Sequence, residues 1–152
     1  MGGCKGEPKA VSERDAKEAA VFASEAEFAM KVREWARAEE QLAKAVKLAP
    51  DPIYYHNLGM ARMRQKNRAG AKEAYQAALD LCDRLAAANK GSADPWVKKV
   101  YLLALLGRVD DARALVKKID KDFPTDRAVR ALVDAKRLEE FIASPTFKEV
   151  AL

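Results

Sequence analysis

Tyr55-His56-Asn57-Leu58-Gly59, followed by Tyr75, Ala78 and Leu81, is the stretch on which the reading of this chain turns. Parts of it recur upstream at one spacing: Ala38 and Ala71, Ala45 and Ala78, and Leu48 and Leu81 each lie 33 positions apart. Self-similarity at such a period marks a chain of stacked units, each too small to bury its own apolar face. Small residues let two backbones approach closely, and the large residues fill the gap that remains.

Helix-end chemistry points the same way. Asp51-Pro52 and Asp94-Pro95 each place a capping acceptor before a proline at the first helical position. Ser12-Glu13-Arg14-Asp15 has the form of a capping box, with Asp in place of the usual Glu. Asn89-Lys90-Gly91 predicts a helix stop with Gly in the left-handed conformation. Ser144-Pro145 ends the last helical stretch, because a residue before proline avoids helical geometry. No segment alternates with period two, so no sheet is expected. The expected helices run near 13–31, 35–48, 52–65, 68–89, 95–106, 110–121 and 126–143.

The middle stretch resembles the tetratricopeptide repeat, a helix–turn–helix unit of about 34 residues. Its second repeat supplies Tyr55, Leu58, Gly59, Ala71, Tyr75 and Ala78, with Asp83 replacing the closing Pro. The third supplies Trp96, Gly107, Ala112 and Pro124, but has Lys99 and Val100 where Leu and Gly are expected. The first supplies Phe22, Ala26, Trp35, Ala38, Leu42, Ala45 and Pro50, with Glu25 in the Leu place. The resemblance covers roughly Ala19 to Pro124. It implies an all-α, right-handed solenoid of about seven helices whose work is to hold other molecules.

Three parts follow: a leader over residues 1–11, the solenoid with a terminal capping helix over 12–143, and a tail over 144–152. Val129, Leu132, Val133, Leu138 and Phe141 form the apolar stripe of the capping helix. The tail, with Phe147, Val150 and Leu152, could fold on the convex surface, occupy its own groove or serve as a docking segment. Ala71 and Ala112 are 41 positions apart, about seven beyond the period. The helix formers over 80–88 predict a helix lengthened by about two turns, roughly 10 Å. A loop around Lys90-Gly91-Ser92 is the competing account.

Composition narrows the function classes. The 152 residues and 49% hydrophobic content fit one domain with a continuous core. A net charge of +5 favours acidic partners mildly, yet opposite charges alternate along the helices, as from Lys117 to Arg127. Nothing marks a nucleic-acid surface beyond that excess. There is one histidine, no Gly-rich phosphate loop and no Gly-x-Ser-x-Gly elbow, so neither a metal site, a cofactor nor an enzyme is expected. Carboxylate pairs such as Glu39-Glu40, Asp110-Asp111 and Glu139-Glu140 diverge on a helix and do not converge on one substrate atom. Cys82 reads as a buried, inert helix cysteine.

Met1-Gly2-Gly3-Cys4 resembles the end of a bacterial lipoprotein signal, with Cys4 the lipid-bearing residue, although no apolar stretch precedes it. That resemblance implies a place in a bacterial cell envelope, facing the periplasm; without a lipid on Cys4 the expected place is the cytoplasm. A plain polar leader is another account, and an N-myristoylation reading has Gly6 where Ser or Thr is expected.

The family resemblance also implies a groove lined by the first helix of each repeat. Carried over, its places are Ala20, Ala23, Glu27, Met30 and Lys31; Ile53, His56, Met60, Met63 and Arg64; and Asp94, Val97, Tyr101, Ala104 and Leu105. Met30, Met60, Met63, Tyr101 and Leu105 would make a soft apolar wall, with Lys31 and Arg64 at its rim, suited to a partner peptide or helix. The family's clamp for chaperone tails is poorly matched: Asn57 and Lys98 fit, but Ala23, Glu27 and Asp94 stand where other residues are needed. The expected function is a non-catalytic scaffold for a protein or peptide partner. The alternative is a self-associating or nucleic-acid-associated repeat protein that uses its basic surface.

Overall fold

The computed structural model describes residues 10–152, so Cys4 and the leader's first nine positions lie outside the described residues. Among these residues the chain forms nine helices and no strand. They are α1 (Glu13–Lys31), α2 (Trp35–Leu48), α3 (Pro52–Arg64), α4 (Arg68–Ala88), α5 (Asp94–Leu105), α6 (Val109–Asp122), α7 (Arg127–Asp134), α8 (Arg137–Ala143) and α9 (Pro145–Val150). Neighbours in sequence pack as neighbours in space from α1 to α6, so three helix pairs stack into an α-solenoid.

The small notches sit where the spacing places them. Ala38, Ala71 and Ala112 are fully buried, as are Ala26 and Val100 in the register of Gly59. The facing positions compensate in volume. Gly59 meets Tyr75, Ala26 shares a cluster with Leu42, and Val100 shares one with Val116. As the first residue of the pair shrinks the second grows, which keeps the interior close-packed.

The turns inside the pairs share a geometry that only one residue type announces. Arg33, Lys66 and Gly107 occupy equivalent places, with φ of 61°, 63° and 76°. The amide of the next residue reaches back to the same carbonyl each time: Glu34 to Ala29, Asn67 to Arg62 and Arg108 to Leu103, at 2.8–2.9 Å. These are Schellman-type helix ends, in which a left-handed residue lets orphan carbonyls find donors.

Several local expectations need correction. Ser12 and Asp51 do cap, accepting from Asp15 N–H at 3.0 Å and Ile53 N–H at 2.7 Å. Asp94 does not: it is the first residue of α5 itself and accepts instead from Lys98 Nζ at 2.6 Å. Helix α4 stops at Ala88 without a left-handed Gly91; among the described residues Gly107 is the glycine with positive φ. The single helix expected over 126–143 is two, broken at Ala135 and Lys136, where Lys136 takes φ 50°. Continuing the Val129–Leu132–Val133 stripe would bring Lys136, Arg137 and Glu140 onto the core face. The break instead turns Leu138 and Phe141 back towards α5.

The extra length between repeats two and three is helix. Helix α4 has 21 residues against 14 in both α2 and α6. Its added turns bury Cys82 and Ala86. Burial pushes the Cys82 thiol up to about 11, so it stays protonated. Two of the three departures from the repeat pattern at this junction meet each other. Lys99, in the place of Leu, donates to Asp83, in the place of Pro, at 2.6 Å.

Candidate functional site

The expected groove residues fall into three groups. Met30 and Lys31 lie on α1, where Met30 packs against the clusters shared by α1, α2 and α3, and Lys31 is exposed. Ile53, His56, Lys98 and Tyr101 come together with Pro52 and Leu102 around a small cleft of about 60 Å³ between α3 and α5. Met60, Met63, Val97, Tyr101 and Leu105 belong to the largest apolar cluster, and Met63 and Leu105 are buried in it. Asn57 is half-buried on α3.

His56 is half-buried and edge-on to the Tyr75 ring at 6.3 Å. Loss of solvent around the imidazole lowers its pKa from 6.5 to about 4, so it is neutral at pH 7. Lys98 is tied to Asp94, which leaves the cleft with a paired cation at its edge.

The chain's own C-terminus occupies the rest of this face. Helix α9 packs on α3, and Val150 is fully buried. Phe147 meets Phe141 edge-on at 5.2 Å, and Phe141 meets Tyr101 the same way at 5.3 Å. Tyr75 is fully buried, and its hydroxyl donates to the Val150 carbonyl at 2.7 Å. Leu152 N–H donates to the Leu105 carbonyl at 2.8 Å. Arg64, at the last turn of α3, pairs with Glu149 while its guanidinium lies over the Trp35 ring at 5.0 Å. Of the three positions open to the tail in sequence, the structure therefore selects the face of α3 and α5.

Tyr75, Trp35, Phe141 and Phe147 were not among the expected groove residues. One signal for Tyr75 was legible: in the same register the first repeat has Leu42 and the third has Val116, so only the middle repeat carries a hydroxyl. The ring that carries it passes Gly59, where an added Cβ would stand 2.3 Å from Tyr75 Cε1.

Two tetratricopeptide-repeat family models match the chain, one over residues 52–85 and the other over 70–135. This is a tetratricopeptide-repeat protein. The matches together span α3 to α7, while α1 and α2 join the array by packing in the same way. No curated protein sequence is significantly similar to this repeat protein. A solved structure, the Arabidopsis OM64 TPR domain, aligns over 84% of this chain and 99% of its own at 20% identity, with a TM-score of 0.48. That likeness is too slight to speak for partners. Repeats of this family mediate protein–protein interaction and are typically non-catalytic.

Proposed function

We propose that this protein is a non-catalytic scaffold that holds a segment of a protein partner on the face formed by α3 and α5. The observation that carries the reading is the seating of α9 there. A short helix rests against an apolar cluster, with its backbone and one carboxylate met by fixed groups of the repeats. Helix-in-groove recognition uses the same combination of apolar anchors and polar end contacts. The uncovered cleft at Ile53, His56 and Lys98 extends this surface. Replacing Ile53 and Lys98 by Glu is expected to abolish partner capture while leaving the circular dichroism spectrum and melting temperature unchanged. Undiminished capture dismisses the face.

Self-association is the second reading, and one observation favours it. Val21, Phe28 and Val32 sit in the register of Tyr54, Ala61 and Gln65, the positions by which α3 packs on α2, yet they are 58%, 58% and 48% exposed. Sedimentation of the wild type and of Phe28→Glu tests it, since only a contact through this stripe would be lost in the variant. Anchoring to a bacterial envelope rests on Met1-Gly2-Gly3-Cys4 alone; palmitate labelling that disappears in Cys4→Ser would support it.

A further inference from the structure

Resting on the reading of this face as the binding surface, we infer that segment 144–152 is an intramolecular stand-in for the partner. The partner is then a short helical segment with the tail's chemistry, and it binds by displacing the tail. Four features define that chemistry. Ser144 opens the tail helix, its Oγ accepting from Phe147 N–H at 3.1 Å, so the segment starts at a capping hydroxyl. An aromatic ring three residues on completes the edge-to-face series with Phe141 and Tyr101. A carboxylate two residues further meets Arg64, which Trp35 already holds in place. The segment must then end its helix at once, because two orphan groups are paired there.

Those two pairings are reciprocal. The Val150 carbonyl, left without a helical donor at the end of α9, accepts from Tyr75. The Leu105 carbonyl, left over at the end of α5, accepts from Leu152 N–H. If the tail left and nothing replaced it, a buried tyrosine hydroxyl and a buried carbonyl would both lose their partners. The face is thus built for an occupant with a free carbonyl followed, two residues later, by a free N–H. A continuing helix, which pairs its own C=O and N–H groups, does not present that pair in this place.

The tail is also suited to leave. Helix α9 has six residues, too short to be stable alone, and Pro145, Thr146, Lys148 and Glu149 are exposed. Its release is a local opening of one short segment, which costs less than global unfolding.

The test uses the full chain and a fluorescein-labelled nonapeptide, Ser-Pro-Thr-Phe-Lys-Glu-Val-Ala-Leu, followed by anisotropy. Glu149→Arg, at an exposed site, releases the tail's ion pair; Phe147→Ala combined with it releases the tail further. Melting and circular dichroism show that each variant is folded, and the single variant serves if the double one is not. The nonapeptide is expected to bind the tail-released chain at least tenfold more tightly than the wild type. A nonapeptide with Arg in place of its Glu is expected to lose tenfold on that chain and to regain it on a chain that carries Arg64→Glu with its own Glu149 kept, because the tail's carboxylate is then repelled. Equal affinity for wild-type and released chains overturns the inference, as does indifference to the peptide's Phe and Glu. A wild-type dimer with exchanged tails also overturns it, because the occupant is then a second copy. If the nonapeptide fails while partner capture still depends on Ile53 and Lys98, only this inference falls. If that dependence is absent too, the binding face falls with it.

Discussion

The two ends of the stack are built from the same register and finished differently. At the C-terminal end α7, α8 and α9 close over the last repeat, and Val129, Leu132, Leu138 and Val150 are all buried. At the N-terminal end α1 carries Val21, Phe28 and Val32 outward, each close to half exposed or more. One repeat later the equivalent residues are Tyr54, Ala61 and Gln65, and in the third they are Pro95, Leu102 and Leu106. Ala61 is fully buried between α1 and α2, and Leu102 is 1% exposed. A place in the repeat therefore does not set burial. Among the described residues, burial follows which helices pack on that position.

This difference can be broken or sharpened by substitution. Leu102→Ala is expected to cost about 2–5 kcal/mol in denaturant unfolding, the usual range for a truncated core leucine. Gly59→Ala comes next, at about 1–3 kcal/mol, because its new methyl collides with the Tyr75 ring that reaches towards the tail. Tyr75→Phe leaves the Val150 carbonyl without its donor and is expected to cost about 1 kcal/mol. In that variant, amide exchange should speed up at Ala151 and Leu152 but not in α1. A loss spread evenly over both ends would contradict the local role given to the hydroxyl.

The pH response is expected to build up gradually as pH falls. The folded chain lowers the His56 pKa from 6.5 to about 4, so between these values the unfolded chain binds more protons. Stability is therefore fully present above about pH 6.5 and falls as pH drops towards 4. His56→Gln should flatten that slope in urea titrations at stepped pH. The smallest effect is expected for Phe28→Ala, within about 0.5 kcal/mol, despite its sharing a register with Leu102. A loss of 2 kcal/mol or more that depended on protein concentration would show that something covers α1 in solution.

The repeat array was legible because its signal is local and periodic. Ala38, Ala71 and Ala112 lie where helix backbones must approach, and all three are buried. The extra turns of α4 were legible too, since strong helix formers predominate over 80–88. The break at Lys136 could have been read from the charges that a continuous stripe would place on the core face. The turns at Arg33 and Lys66 could not, because neither residue type announces a left-handed backbone, whereas Gly107 does.

Of the apolar wall that the family resemblance implied, Met60, Met63, Tyr101 and Leu105 share one cluster, whereas Met30 packs into the separate clusters around α1 and α2. The resemblance did not reveal that Phe147, Val150 and Leu152 would join that cluster. That outcome rests on partners far apart in the chain: Tyr75 with Val150, Leu105 with Leu152 and Arg64 with Glu149. Periodicity along a helix determines which residues share a face, and here that sufficed for an all-α stack of repeats. Which segment comes to rest on that face was decided in three dimensions, where orphan carbonyls, a buried hydroxyl and an anchored guanidinium converge from separate helices.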